Sequence, residues 1–330
     1  MSRLSRIEKR KTKSKRYKVI GISIGTFLVL LLAGGYIYWT SQFNEGLALS
    51  DEGTLADQNK DYGIFDGPEP EFGEINVLLL GSDARKEEDG RSDTLMIANY
   101  NQDTEKVKLI SIMRDTYVEI PGHGMQKMNS AFTIGGPELV RQTIKDNFGL
   151  DVHYYAMVDF KGFPKIADII APNGIEVDIP YTMSHGIYMT LNKGVQTLNG
   201  EQLLGYVRFR HDSKNDFGRV ERQQEVISKL KDEAVSVHSL VKLPKLLGAA
   251  EAYIDTNLDK MKMLSIGKGL LDNKSGKIET FRIPVDNSYT DPLVDVGRVL
   301  EIDFDKNIEE LNKFLDGTSD LADSEDTETN

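Results

Sequence analysis

Val19 to Trp39 is a run of 21 residues without a charge, and it constrains this chain more than any other stretch. A helix of that length spans about 30 Å, the hydrocarbon thickness of a bilayer. Tyr36, Tyr38 and Trp39 close the run, where amphipathic rings favour the headgroup level. Residues 1–18 hold nine basic side chains against one acid, Glu8. Basic residues beside an apolar span stay in the cytoplasm, so the pattern predicts a signal anchor over 19–39 with everything after Trp39 outside. A cleaved signal peptide has a shorter apolar region that ends in small residues; this one is longer and ends in bulky aromatics. The expected localisation is the cell membrane, as a single-pass type II protein with an extracellular C-terminal body. Set against an apolar 21-mer, the basic tail reads as a topology signal with added attraction to anionic lipid, rather than as a nucleic-acid arm.

Charge divides the chain in the same way. The total is −12, but beyond residue 18 the chain holds 31 basic and 51 acidic residues, a balance of −20. A body of that charge is no general nucleic-acid binder, because duplex affinity comes mainly from neutralising phosphates. Hydrophobic content of 39% and charged content of 28% exclude global disorder. With no cysteine there is no disulfide framework, thiolate metal site or cysteine nucleophile.

Residues 40–73 are rich in Gly, Asp, Glu and Asn and read as a tether with a reach of about 30–35 Å. Residues 317–330 carry five acids and no base and read as a disordered acidic tail. The body between them, 74–316, suits a single α/β domain. Ile75–Leu80 is a continuous apolar run closed by Gly81, as in a strand buried on both faces. Further strands are predicted at Thr94–Tyr100, Val107–Ile112, Tyr117–Ile120, Val152–Val158, Ile175–Ile179, Lys277–Pro284 and Val299–Ile302. Helices are predicted after Gly136-Pro137 up to Gly149, near Lys165–Ile170, and over Glu201–Tyr206, Val220–Ala234 and Lys306–Leu315. Strands interleaved with helices indicate a layered α/β sandwich.

Three clusters stand out from the solvated charge. In the first, Asp83 follows one predicted strand and Asp93 precedes the next. Two carboxylates at adjacent strand ends suit one hard cation that keeps water or phosphate in its other positions, although Gly, Ser and Asp are also ordinary turn formers. The second is SIMRDT, 111–116, where Arg114 and Asp115 form either part of a site or a surface pair. The third runs from Tyr206 to Gln224. Arg208 and Arg210, one residue apart, share a side if the segment is extended, and Phe209 then points to the core. Arg219, Arg222 and Gln223 share one face of a helix. Arginines converging on a helix start suit pyrophosphate, since the guanidinium fork matches phosphate oxygens; the alternative is a charged face paired with Glu221 and Glu225. The five histidines show no metal-ligand spacing, and His211, beside Arg210, is the suggestive one.

These clusters, in this order behind one anchor, resemble the LytR-CpsA-Psr family of bacterial cell-wall enzymes. The resemblance rests on NVLLLGSDAR (76–85), GRSDTLMIA (90–98), SIMRDTYVEIPGHGMQKMNSAFTIGG (111–136), DFKGFPKIAD (159–168), LNGEQLLGYVRFR (198–210) and DFGRVERQQ (216–224). It implies a three-layer α/β/α sandwich with a central mixed sheet and a polyprenyl pocket. It also implies a phosphotransferase of the Gram-positive envelope. Such enzymes move an undecaprenyl-pyrophosphate-linked glycopolymer (teichoic acid, capsule or rhamnose polysaccharide) onto peptidoglycan through a phosphodiester, with Mg²⁺ as cofactor. By resemblance, Asp83 and Asp93 are the magnesium carboxylates. Arg91, Arg114, Arg208, Arg210 and Arg219 contact the pyrophosphate with Gln223 beside them, Asp216 is a base or orienter, and Lys127 is a further candidate. One departure is Met113, where the family usually has proline. Hydrolysis of the same pyrophosphate would use the same groups. A membrane-bound transcription regulator would need a DNA-binding domain inside the cell, where only 18 residues lie, too few for a folded core.

Overall fold

The computed structural model describes residues 30–48, 62–70, 73–82, 92–235, 239–272 and 276–318. In chain order the elements are α1 (residues 30–47), β1 (Glu74–Ser82), β2 (Ser92–Asn101), β3 (Val107–Ile112), β4 (Tyr117–Ile120), β5 (Gly124–Lys127), α2 (Met128–Phe148), β6 (Tyr154–Asp159), α3 (Gly162–Ile170), β7 (Ile175–Ile179), β8 (Gly194–Leu198), α4 (Gly200–Arg208) and α5 (Asp216–Ala234). Then come α6 (Ser239–Tyr253), β9 (Ile254–Thr256), α7 (Lys260–Asp272), β10 (Glu279–Ile283), the short strands β11 (Tyr289–Thr290), β12 (Leu293–Val294), β13 (Gly297–Arg298) and β14 (Glu301–Ile302), and α8 (Phe304–Asp316).

β1 is apolar on both faces because it lies inside a six-stranded sheet of order β10-β3-β2-β1-β6-β9. The sheet is mixed: β1 runs antiparallel to β2 and parallel to β6, and β10 is parallel to β3. Alternate side chains of β1 therefore enter different cores. Leu78 and Leu80 pack with Ala131, Ile144 and Phe148 of α2 and Leu311 and Phe314 of α8. Val77, on the other face, packs with Tyr154 and, from α7, Ile266. That second face also carries α3, α4 and α5, whose Ala167, Leu203 and Val226 form a separate cluster. Two apolar clusters that do not merge leave space between them, and the cavity described below occupies it.

Helix boundaries depart from the sequence reading where backbone chemistry intervenes. α2 begins at Met128 and is broken at Gly135 and Gly136, the latter at φ 63°, a left-handed conformation that glycine adopts without penalty. Pro137 then starts the second half, its missing N–H suiting a helix start. α5 begins four residues before the predicted Val220, and Asn215 enters it at φ 47°, where asparagine is among the more tolerant residues. α6, with Pro244 inside it, and α7, with two internal glycines, were not predicted; both residue types argue locally against helix.

The tether reading of 40–73 meets two structured pieces. Residues 40–47 continue α1. Residues 62–70 run against the body: the Tyr62 ring lies 5.7 Å from that of Phe132, Phe65 lies 5.1 Å from Tyr155, and the Asp66 N–H donates to Glu138 at 2.9 Å. The first eleven residues of the apolar run, 19–29, and the acidic tail from 319 onward lie outside the described residues. Among the described residues no helix is long and apolar enough to cross a membrane.

Met113 is buried, and its N–H donates to the Ile283 carbonyl at 2.9 Å, extending the β3–β10 contact beyond the paired strands. Proline there would remove the donor. Met113→Pro is expected to lower stability by about 1–3 kcal/mol, measured by urea unfolding. An unchanged midpoint would show that this bond contributes nothing.

Candidate active site

The sheet ends carry the charge. Gly81 of β1 sits opposite Thr94 of β2, where a Cβ would come within 2.9 Å of the threonine side chain. The close approach sets Thr94 and the adjoining Asp93 at the mouth of a cavity. Asp93 accepts a hydrogen bond from Arg114 Nη1 at 2.6 Å. Arg114, just after β3, also donates from Nε to Asp216 at 2.9 Å and lies 3.4 Å from Asp115. Lys127 extends this chain of charges by holding Asp115 at 2.8 Å.

Asp216 occupies the first turn of α5, where the helix dipole favours an anion. One turn on, Arg219 lies 3.4 Å from Asp216 and 3.8 Å from Asp93. Gln223 follows on the same face and donates to the Thr94 hydroxyl at 2.9 Å. Arg208 ends α4, a position where the dipole favours a cation, and its guanidinium lies 4.2 Å from the Phe160 ring centroid. α4 itself starts on a reciprocal cap between Asn199 and Gln202. Arg210 reaches Asp216 only at 4.0 Å and is 41% exposed.

Arg222 does not join them. It pairs with Asp212 at 2.6 Å and also donates to the Phe209 carbonyl, so it braces the loop that carries Arg210. Arg208 and Arg210 share the site from a helix end and a loop, not from one extended segment. Phe209 does point into the core. Glu221 and Glu225 are engaged by Lys214, Tyr206 and Lys229, so the arginine face is not neutralised by them.

The cavity has a volume of about 420 Å³, and its rim includes Asp93, Arg208, Arg210, Arg219 and Gln223. Its walls are apolar: Leu79 and Met96 from the sheet, Phe163 from α3, Leu204 from α4, Val226 from α5 and Ile254 from β9. Sequence reasoning did not assign Asp159, His185 or Gly186, which also line it. Asp159 accepts from the N–H groups of Lys161 and Gly162 and so tethers the start of α3. His185 stacks on His211 with ring centroids 3.9 Å apart, a contact between loops that no local pattern encodes. Asp83 and Arg91 lie outside the described residues. Lys127 is in the charge chain but not on the cavity wall.

The electrostatics favour an incoming anion. Burial raises the Asp93 pKa, but Arg114, by charge and hydrogen bond, and then Arg219 and Arg210 outweigh it, so the carboxyl lies below its ordinary value. Burial disfavours the Arg114 cation, yet Asp216, Asp93 and Asp115 raise its pKa overall. Arg219 goes the other way. Burial lowers its pKa, Asp216 and Asp93 oppose this, and Arg114 and Arg210 reinforce it. It is only 4% exposed, and its Nε has no hydrogen-bond partner.

The LytR_cpsA_psr family model matches residues 40–313. The chain belongs to this family. LytR-CpsA-Psr relatives include Regulatory protein MsrR of Staphylococcus aureus (strain COL), 38% identical over 283 residues that make up 85% of each chain. The polyisoprenyl-teichoic acid–peptidoglycan teichoic acid transferase TagU of Enterococcus faecalis is 33% identical over 264 residues, 77% of this chain and 84% of that one. Among solved LytR-CpsA-Psr structures, TagT bound to LIIa-WTA superposes with a TM-score of 0.62 at 26% identity, covering 76% of this chain and 94% of that one. The α/β fold with a central mixed sheet is thus the family's own.

Because the Asp93 pKa is depressed, its contribution to stability is present above its unfolded value, about 4, and is lost as pH falls through the folded value. Arg114→Ala removes the chief depressing group. The variant is expected to lose about 1–3 kcal/mol at pH 7 and to differ less from the parent at pH 3. Equal loss at both values in urea titrations would remove the carboxylates from the account.

Proposed function

We infer that this chain transfers a polyprenyl-pyrophosphate-linked teichoic acid to peptidoglycan. The observation that carries the reading is Arg219, a buried cation whose Nε has no hydrogen-bond partner and whose nearest carboxylate lies at 3.4 Å, facing an apolar cavity with Arg208 and Arg210 at its rim. A buried charge left so weakly paired is costly unless a ligand completes it. A pyrophosphate completes it, and a polyprenyl tail matches the walls. TagU, similar along most of its length, is named for this reaction, and the solved TagT is bound to LIIa-WTA. The regulatory name of MsrR specifies no ligand and does not compete with that chemistry.

In the reaction a peptidoglycan hydroxyl attacks the phosphorus that carries the polymer. An O–P bond forms, the bridging P–O bond breaks, and the lipid leaves as polyprenyl phosphate. Arg208, Arg210 and Arg219 offset the charge that develops on the phosphate oxygens. Arg114 fixes Asp93 and Asp216 relative to them. Asp216 binds Arg114 and Arg219 through Oδ2; its Oδ1, 4.0 Å from Arg210, takes the proton from the attacking hydroxyl.

Magnesium belongs to the same reading. The available donors are carboxylate oxygens, which suit a hard divalent cation. Asp93 Oδ1 accepts from Arg114 and its Oδ2 lies 3.8 Å from Arg219; Asp93 with Asp83 would hold the ion. A cation held by two carboxylates would leave its remaining positions to substrate phosphate and water. When bound, Mg²⁺ supplies further charge neutralisation at the pyrophosphate. The apolar run 19–39 supports a location in the cell membrane, with the body toward the wall of a Gram-positive envelope.

The test uses the purified full chain, a synthetic lipid-linked teichoic acid precursor and peptidoglycan oligomers, with products read by mass spectrometry. Arg210→Ala and Arg219→Ala are each expected to lower transfer by about 100-fold or more with circular dichroism unchanged. Parental rates in either variant would sink the arginine assignment. Polymer release at the full rate without acceptor would make the enzyme a hydrolase. Chelation is expected to stop transfer and added Mg²⁺ to restore it; full turnover in chelator would remove the ion.

A further inference from the structure

The helix that leaves the apolar run does not end at its aromatic residues. α1 continues to residue 47 and packs on α6. A Cβ at Gly46 would collide with the Lys245 carbonyl, and one at Gly248 with the Phe43 carbonyl, so the two backbones touch in both directions. Glu45 pairs with Lys245 at 2.6 Å, and Lys260, opening α7, lies 5.3 Å from the Phe43 ring centroid. Phe43 is one turn, about 6 Å, beyond Trp39. Phe43 faces Gly248 and Gly46 faces Lys245, so the helices are antiparallel and the C-terminal end of α6 points back toward the apolar residues. That end leads into Ile254, a wall of the cavity.

Beside Lys260 stands Met261, 74% exposed, with Lys262 next. Lys260 pairs with Glu251 at 2.9 Å and Lys262 lies 3.9 Å from Glu69; an exposed apolar side chain between two such lysines suits a headgroup layer, where lipid phosphates compete for the ammonium groups and the thioether enters the acyl boundary.

We propose that the α6–α7 edge, centred on Lys260-Met261-Lys262, rests on the phospholipid headgroups of the bilayer that α1 enters. Docking of α1 on α6 holds it there. It rests on the membrane reading of residues 19–39. The body is then oriented rather than loosely tethered, with the Ile254 wall of the cavity beside the lipid from which a polyprenyl substrate comes.

The chain has no cysteine, so single labels are direct. Tyr36→Cys, Met261→Cys and Leu293→Cys, all at exposed positions, are labelled with an environment-sensitive fluorophore. Each full-length protein is reconstituted in vesicles of phosphatidylglycerol and phosphatidylcholine containing a headgroup-quencher lipid. Labels at 36 and 261 are expected to lose most of their emission, and the label at 293 to keep it. Quenching at 36 with none at 261 overturns the proposal. No quenching at 36 overturns the membrane reading beneath it. Gly46→Leu, on α1 and outside the body, should free the label at 261 while that at 36 stays quenched. Continued quenching at 261 would overturn the docking as its cause.

Discussion

Arg114 joins pieces of chain that are far apart in sequence. Its guanidinium reaches Asp93 at the start of β2 and Asp216 at the start of α5, with Asp115 beside it. One planar, permanently charged group with several fixed donors can hold two carboxylates at once, which a lysine ammonium does less specifically. Because Asp93 and Asp216 both bind Arg114 first, they pair with Arg219 only at 3.4–3.8 Å and with Arg210 only at 4.0 Å. The cluster keeps a cationic surplus on an acidic body, and that surplus is what a pyrophosphate would meet.

The cavity depends on a second constraint, the division of the sheet's second face between two apolar clusters. α3, α4 and α5 pack with one another and with β7, while α7 covers the start of β1 and β6. Had the helices closed fully on the sheet, Leu79, Met96 and Val226 would form ordinary core. Instead they line a space that ends at guanidinium groups. An apolar interior with a charged mouth is the shape an amphiphile requires, and neither half of it selects a lipid pyrophosphate alone.

Much of the sheet was legible because buried strands are continuous apolar runs. Val107–Ile112 matches β3 of that sheet residue for residue, and Tyr117–Ile120 matches β4 of the separate β4–β5 hairpin. The arginine-rich segment was legible because arginine rather than lysine crowds a helix start. What escaped was whatever local propensity opposes or leaves blank. α6 contains Pro244 and forms because Ala249, Ala252 and Tyr253 bury against α3. Arg222 lies on the same broad face as Arg219 and Gln223, yet it sits about 60° round the helix from Arg219, on the side that meets Asp212. Helical periodicity cannot separate two neighbours on a broad face when only one side of that face meets the cavity.

The sequence by itself determined the division into basic tail, apolar run and acidic body, the alternation of strands and helices, and the residue types able to bind a diphosphate. Those properties are local: they follow from charge, from runs of side chains and from spacing along one segment. Tertiary structure decided which arginines are weakly paired, which carboxylates are occupied and where the apolar walls part. It also set α1 against α6 through two glycines 202 positions apart in the chain. Such properties depend on the distance between groups far apart in sequence, and only the packed fold fixes that distance.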